Sequence, residues 1–180
     1  MKLYAFLADG FETVEALGVV DILRRGGVDV CTVSIKSDRT VISSHRIPVI
    51  ADALFDETDF GDGDALFLPG GLPGTTNLEA HEGLSKLIDQ YAAEGKILGA
   101  ICAAPSIFGH HNLLQGKNAT CFPGYENDLY GANAVGEGVV KDGRIVTGKG
   151  MGKTVDMGLA LLEMLTDKAT ADTVKNKIQY

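Results

Sequence analysis

Ile97-Leu98-Gly99-Ala100-Ile101-Cys102-Ala103-Ala104-Pro105 joins a short apolar run to a cysteine and then to a helix-compatible segment. The run reads as a buried strand, since it is too short for a helix and has β-branched ends. Pro105 is compatible only with the first turn of a helix. A strand that passes into a helix at a cysteine is a βα junction, and the same alternation recurs on both sides.

Upstream, Leu3–Ala8 reads as a first strand. After the Asp9-Gly10 turn, Ala16, Val19, Val20 and Leu23 mark one face of a helix that Gly26-Gly27 stops. Val28–Ile35 is a second β-rich run. Arg39–Ser43 and Arg46–Ile50 read as a small hairpin or paired edge strands, and Asp52–Asp64 as an acidic loop. Ala65-Leu66-Phe67-Leu68-Pro69 is a buried strand ending in the Gly70-Gly71-Leu72-Pro73-Gly74 loop. Leu84, Leu87, Ile88, Tyr91 and Ala92 give the next helix its apolar face. Downstream, Ala103–Leu114 is helical in composition, and Val139–Val146 is a hairpin centred on Asp142-Gly143. Val155, Leu159 and Leu162 mark a final long helix, followed by a polar helix or tail. Strands alternating with helices predict an α/β fold, a mostly parallel sheet with helices on both faces.

The chain has 180 residues, which predicts a single domain spanning residues 1–180. With 45% hydrophobic and 22% charged residues it is composed like an ordinary globular protein. Its net charge of −8 argues against a nucleic-acid or anionic-membrane partner, because both carry phosphates. With 7% aromatic residues and no Trp, base-stacking platforms are unlike this sequence. No stretch approaches the roughly 20 apolar residues of a membrane span. The N-terminal apolar run breaks at Asp9-Gly10 without a cleavage-like site, so it reads as a strand, not a signal peptide. Cys31, Cys102 and Cys121 are odd in number and lack metal-like spacing, which predicts a reduced, cytoplasmic protein.

In parallel α/β sheets, ligands sit beyond the carboxyl ends of the strands. Three segments end there: Asp9-Gly10-Phe11-Glu12, Gly70-Gly71 and Cys102. A nucleophile elbow needs small residues two before and two after the nucleophile, and Ala100 and Ala104 supply them. A sulfur at a helix N-terminus is expected to have a lowered pKa. The plainer reading is a buried, inert thiol. Gly70 and Gly71 read either as turn chemistry or as backbone donors to an anion. Glu12 and Glu15 read either as helix-dipole partners or as carboxyls aimed into the crevice, where burial would raise a pKa.

Leu7-Ala8-Asp9-Gly10-Phe11-Glu12-Thr13-Val14-Glu15, Leu68-Pro69-Gly70-Gly71 and Ala100-Ile101-Cys102-Ala103-Ala104-Pro105 occur in order. Together they resemble the ThiJ/PfpI superfamily, within the class I glutamine amidotransferase-like fold. The resemblance runs over essentially the whole chain. It implies a flavodoxin-like three-layer sandwich and a homodimer. It implies Cys102 as the reactive cysteine, Glu15 as its carboxyl partner, and Gly70, Gly71 and Ala103 as anion-hole donors. Glu12, Arg25, Arg46, Cys121, Phe122 and Glu126 are the further pocket candidates.

The sequence departs from the family at two places. Where some members carry His directly after the cysteine, this chain has Ala103. Where others carry His before a proline, this chain has Phe122 before Pro123. Glu126 or a partner-subunit residue is the substitute base to look for. His110-His111 reads as no metal pair, since neighbours on a helix point about 100° apart. Gly148-Lys149-Gly150-Met151-Gly152-Lys153-Thr154 resembles a phosphate loop but is one residue short of that spacing, and reads as a strand-to-helix turn. The expected protein is free of cofactor and metal. Its expected chemistry is glyoxalase- or deglycase-like, acting through Cys102 on a small carbonyl substrate or its adducts. The competing readings are a redox sensor or chaperone that uses an oxidisable Cys102, and a peptidase- or amidase-like hydrolase.

Overall fold

The computed structural model describes residues 1–180. The chain runs through β1 (Lys2–Leu7), α1 (Thr13–Arg25), β2 (Asp29–Ser34), β3 (Thr40–Ile42), β4 (Pro48–Ile50), β5 (Ala53–Leu54), β6 (Ala65–Leu68), α2 (Gly74–Glu79) and α3 (Glu82–Ala93). It continues through β7 (Ile97–Ile101), α4 (Pro105–His110), β8 (Asn118–Ala119), β9 (Asn133–Ala134), β10 (Val139–Asp142), β11 (Ile145–Gly148), α5 (Thr154–Leu165) and α6 (Lys168–Lys177).

A 7-stranded sheet has the order β10-β11-β7-β6-β1-β2-β5. All its pairings are parallel except the β10–β11 edge hairpin. The central strands β6 and β7 are buried along their whole length, as strands covered on both faces must be. Alternation along β1 and β6 sorts side chains between two cores. Leu3, Ala5, Ala65 and Phe67 face α1, α5 and α6; Tyr4, Phe6, Leu66 and Leu68 face α2, α3 and α4. The result is the expected three-layer sandwich, with β3 and β4 forming a separate antiparallel pair.

Several local expectations are corrected. The late hairpin turns on Gly143-Arg144, one residue beyond Asp142-Gly143, because Gly143 takes the positive φ of 61° that the first turn position needs. The helix after Cys102 is shorter than Ala103–Leu114, and Asn112 at φ 56° lies just beyond its end. The loop after Gly70-Gly71 contains the short α2, and the acidic region contains β5 and a 3-10 turn at Phe55–Glu57. In α5 the buried face is Met157, Gly158, Leu161, Leu162 and Leu165, while Val155 and Leu159 are only half-buried.

Candidate active site

The carboxyl ends of β1, β6 and β7 bring their three loops together. Glu12 ends the first loop as the N-cap of α1, its Oε2 accepting the Glu15 N–H at 2.7 Å. Its backbone N–H donates to the Gly70 carbonyl at 2.8 Å, which ties the first loop to the second.

Glu15 lies in the first turn of α1 on the face that also carries Ala16, Val19 and Val20, so it is drawn inward with them and is 1% exposed. Its Oε2 accepts the Gly70 N–H at 2.9 Å. Its Oε1 is buried without a partner. Gly70 is more than a turn residue. A Cβ there would lie 2.5 Å from Cys102 Cβ and 2.7 Å from Glu15 Oε2, so only glycine fits.

Cys102 has φ 66°, the left-handed conformation that a side chain other than glycine rarely adopts. This is a strained strand-to-helix turn, the backbone geometry that a nucleophile elbow requires. The turn is held from both sides. The Cys102 N–H donates to the Gly148 carbonyl at 2.9 Å, and its carbonyl accepts the Phe122 N–H at 2.7 Å. Ala104 is fully buried, so the small side chain is required there. The backbone N–H groups of Ala103 and Gly71 and the Glu15 carboxyl lie close enough to the sulfur to act on its charge. The Gly70 N–H belongs to Glu15 and is no part of this hole.

The electrostatics correct the expectation of a lowered thiol pKa. Burial pushes the Cys102 thiol up to about 12, reinforced by the Glu15 charge and hydrogen bond; the Ala103 and Gly71 N–H groups pull the other way. The following helix gives little help, since α4 is short and opens on a proline that has no N–H. Burial also pushes Glu15 up to about 7, with the Cys102 hydrogen bond opposing and the Glu12 charge assisting. The two groups therefore behave as a pair holding one negative charge. When Glu15 takes the proton, its charge no longer raises the thiol.

The remaining candidates separate. The Phe122 backbone braces Cys102, and its ring is 48% exposed at the edge of the site. Cys121 is buried in the core, where burial pushes its thiol up to about 11. Glu126 lies in an exposed turn, where its Oε2 accepts the Gly124 N–H at 2.7 Å. Arg25 ends α1, about 15 Å along the helix from Glu15, and its Nε pairs with Asp21 at 2.6 Å. Arg46 sits exposed in the β3–β4 turn at φ 65°. His110 and His111 turn to different carboxylates, Glu79 and Asp89.

One wall of the site lies in the segment that the sequence reading set aside. Gly148–Thr154 is a strand-to-helix turn as expected, but it passes beside the buried carboxyl. A methyl group on Gly150 would come 3.5 Å from the Phe122 ring and 4.0 Å from Glu15 Oε1. A glycine-rich run at the end of a sheet strand was the available signal.

An α/β sandwich with a strained cysteine at the end of a central strand, backbone N–H groups near its sulfur and a buried carboxyl defines a class of cysteine-elbow proteins. Residues 1–164 match the DJ-1/PfpI family, and the chain belongs to that family. It is 38% identical over 174 residues to the DJ-1 homolog B protein of Arabidopsis thaliana, covering 96% of this chain and 40% of that one. The chain thus spans less than half the length of that plant relative. It is 30% identical over 151 residues to a deglycase of Pyrococcus abyssi, covering 83% of this chain and 90% of that protein. Among solved structures, a cysteine-to-alanine mutant of a DJ-1 superfamily protein from Salmonella typhimurium superimposes with TM-score 0.94 at 35% identity, over 99% of this chain and 98% of that one. Oxidized DJ-1 of Toxoplasma gondii gives 0.95 at 29% identity, over 99% and 98%. No helix here is long and apolar enough to cross a membrane.

Proposed function

We propose that this protein uses Cys102 to act on small reactive carbonyl compounds or their adducts, in the manner of a glyoxalase or deglycase. One observation carries the reading: Cys102, in a strained turn at φ 66°, and a buried Glu15 carboxyl with one unpaired oxygen are packed against the same glycine, with the Gly71 and Ala103 N–H groups near the sulfur. The thiolate adds to the carbonyl carbon, and the carbonyl electron pair moves to oxygen. That oxygen is received by the Gly71 and Ala103 N–H groups and protonated by Glu15, leaving a neutral hemithioacetal. With its carboxyl pushed up to about 7, Glu15 can give and recover a proton near neutral pH. No imidazole assists, because Phe122 stands where one would be sought. The relationship to a deglycase supports this reading. We also place the protein in a reducing cytoplasmic compartment, consistent with three free cysteines, and as a homodimer.

The deciding experiment is turnover of methylglyoxal by the wild type, Cys102→Ser and Glu15→Gln. Turnover in the wild type that both variants lose supports the reading; wild type no faster than buffer overturns it. A second reading, a sensor oxidised at Cys102, is favoured by the same two donors, which would also receive a sulfinate oxygen. Peroxide-dependent oxidation confined to Cys102, with no carbonyl turnover, would select it.

A further inference from the structure

Phe122, Pro123, Lys149, Gly150, Met151, Gly152 and Lys153 line a cavity of about 390 Å³. That lies within the range of small-molecule sites, roughly 300–1,000 Å³. Its lining holds two cations and no carboxylate, in a chain whose net charge is −8. Lys149 forms no ion pair; its Nζ reaches only the Gly136 carbonyl, at 3.4 Å. Lys153 is half-exposed and pairs with Asp156 at 3.1 Å. The Gly150 N–H donates to no backbone acceptor. The Phe122 ring supplies an apolar edge, and the floor at Gly150 approaches the unpaired Oε1 of Glu15. The cavity therefore carries two lysines and, at Gly150, comes near the buried acid of the thiol site.

We infer that this cavity is an anion subsite, and that the substrates of the Cys102 site are small aldehydes or ketones carrying a carboxylate. The carboxylate would sit among Lys149, Lys153 and the Gly150 N–H, with its carbonyl turned toward Cys102. This rests on the carbonyl reading of the site given above. The step is an addition without net oxidation. The Cys102 sulfur forms a C–S bond, the carbonyl π bond breaks, and the oxygen takes the proton held by Glu15. An aldehyde that cannot rearrange further, such as glyoxylate, would stop at this hemithioacetal and shield the thiol.

Glyoxylate and methylglyoxal are each titrated for their ability to protect Cys102 from iodoacetamide, read by peptide mass spectrometry. The measured quantity is the ratio of the two protection constants. In Lys149→Gln/Lys153→Gln the preference for glyoxylate is expected to fall by about 10-fold or more, the effect of losing one charge-assisted contact. Lys175→Gln/Lys177→Gln, which changes net charge equally on α6, should leave the ratio within about two-fold of wild type. If methylglyoxal protects but the ratio is the same in all three proteins, the subsite is overturned and the carbonyl reading stands. If neither compound protects Cys102 in the wild type, the carbonyl reading itself fails.

Discussion

Glu15 and Cys102 press on the same glycine from two sides. Gly70 gives its N–H to Glu15 Oε2 at 2.9 Å, and the space its missing side chain leaves is bounded by Cys102 Cβ. Three strand ends thus meet at one position, and the carboxyl and thiol are held in register by backbone.

Gly70→Ala tests that register. The added methyl would overlap both Cys102 Cβ and the carboxyl, and the neighbouring Ile101 carbonyl cannot give way. Overpacking of this kind typically costs about 1–3 kcal/mol. Urea denaturation should show a loss in that range, with alkylation of Cys102 altered in the folded protein.

The raised carboxyl pKa makes stability depend on pH. Glu15 moves from 4.5 to about 7 on folding, so the folded state holds its proton more tightly. The contribution is fully present below about 4.5 and is lost as pH rises through about 7. For a side chain this buried the swing is about 3 kcal/mol. Glu15→Gln should flatten that part of the profile. Denaturation at pH 5 and pH 8 in both proteins measures it, and equal slopes would contradict the burial argument.

The same substitution reports on the thiol. Glu15 in its charged form raises Cys102, so Glu15→Gln should shift the midpoint of iodoacetamide labelling to lower pH. Cys102 should label ahead of Cys121, which is 4% exposed. A midpoint shifted upward would mean that the acid proton, rather than the carboxylate charge, governs the wild-type thiol.

Phe122→His places an imidazole at the edge of the site while keeping the backbone bond from residue 122 to the Cys102 carbonyl. Positioned acid–base help is worth typically 10²–10⁴-fold, and a grafted group should reach about the lower end. Steady-state kinetics on methylglyoxal should show a rise in kcat. A fall would show that the Phe122 ring shapes the pocket.

The sheet was legible because buried strands are written as short apolar runs, and Leu3–Ala8, Ala65–Leu68 and Ile97–Ile101 each carried one. The elbow was legible for a related reason: Ala100 and Ala104 are the small residues that a crowded turn permits. The thiol's electrostatics were not, because helix position is a local feature and desolvation is a property of the assembled layers. Gly70 was singled out as an anion-hole donor, but its role as the donor to Glu15 was hidden for the same reason. A glycine in a turn and a glycine between two reactive side chains look alike until the partners from α1 and β7 arrive. The wall at Lys149–Lys153 was visible only as a failed phosphate motif, since its neighbours Glu15 and Phe122 are distant in sequence.

The two backbone bonds on Cys102 reach Gly148 and Phe122, both made after it during synthesis. Neither anchor exists while the cysteine is first emerging, and the left-handed turn has nothing to hold it. An incomplete chain therefore carries a solvated thiol, free of the burial that raises its pKa in the folded protein and free to leave the left-handed turn. Only when β11 docks beside β7 does the sulfur acquire its fixed setting. The anchored geometry of Cys102 is thus absent from the nascent chain, and any fragment ending before Gly148 lacks one of its two anchors.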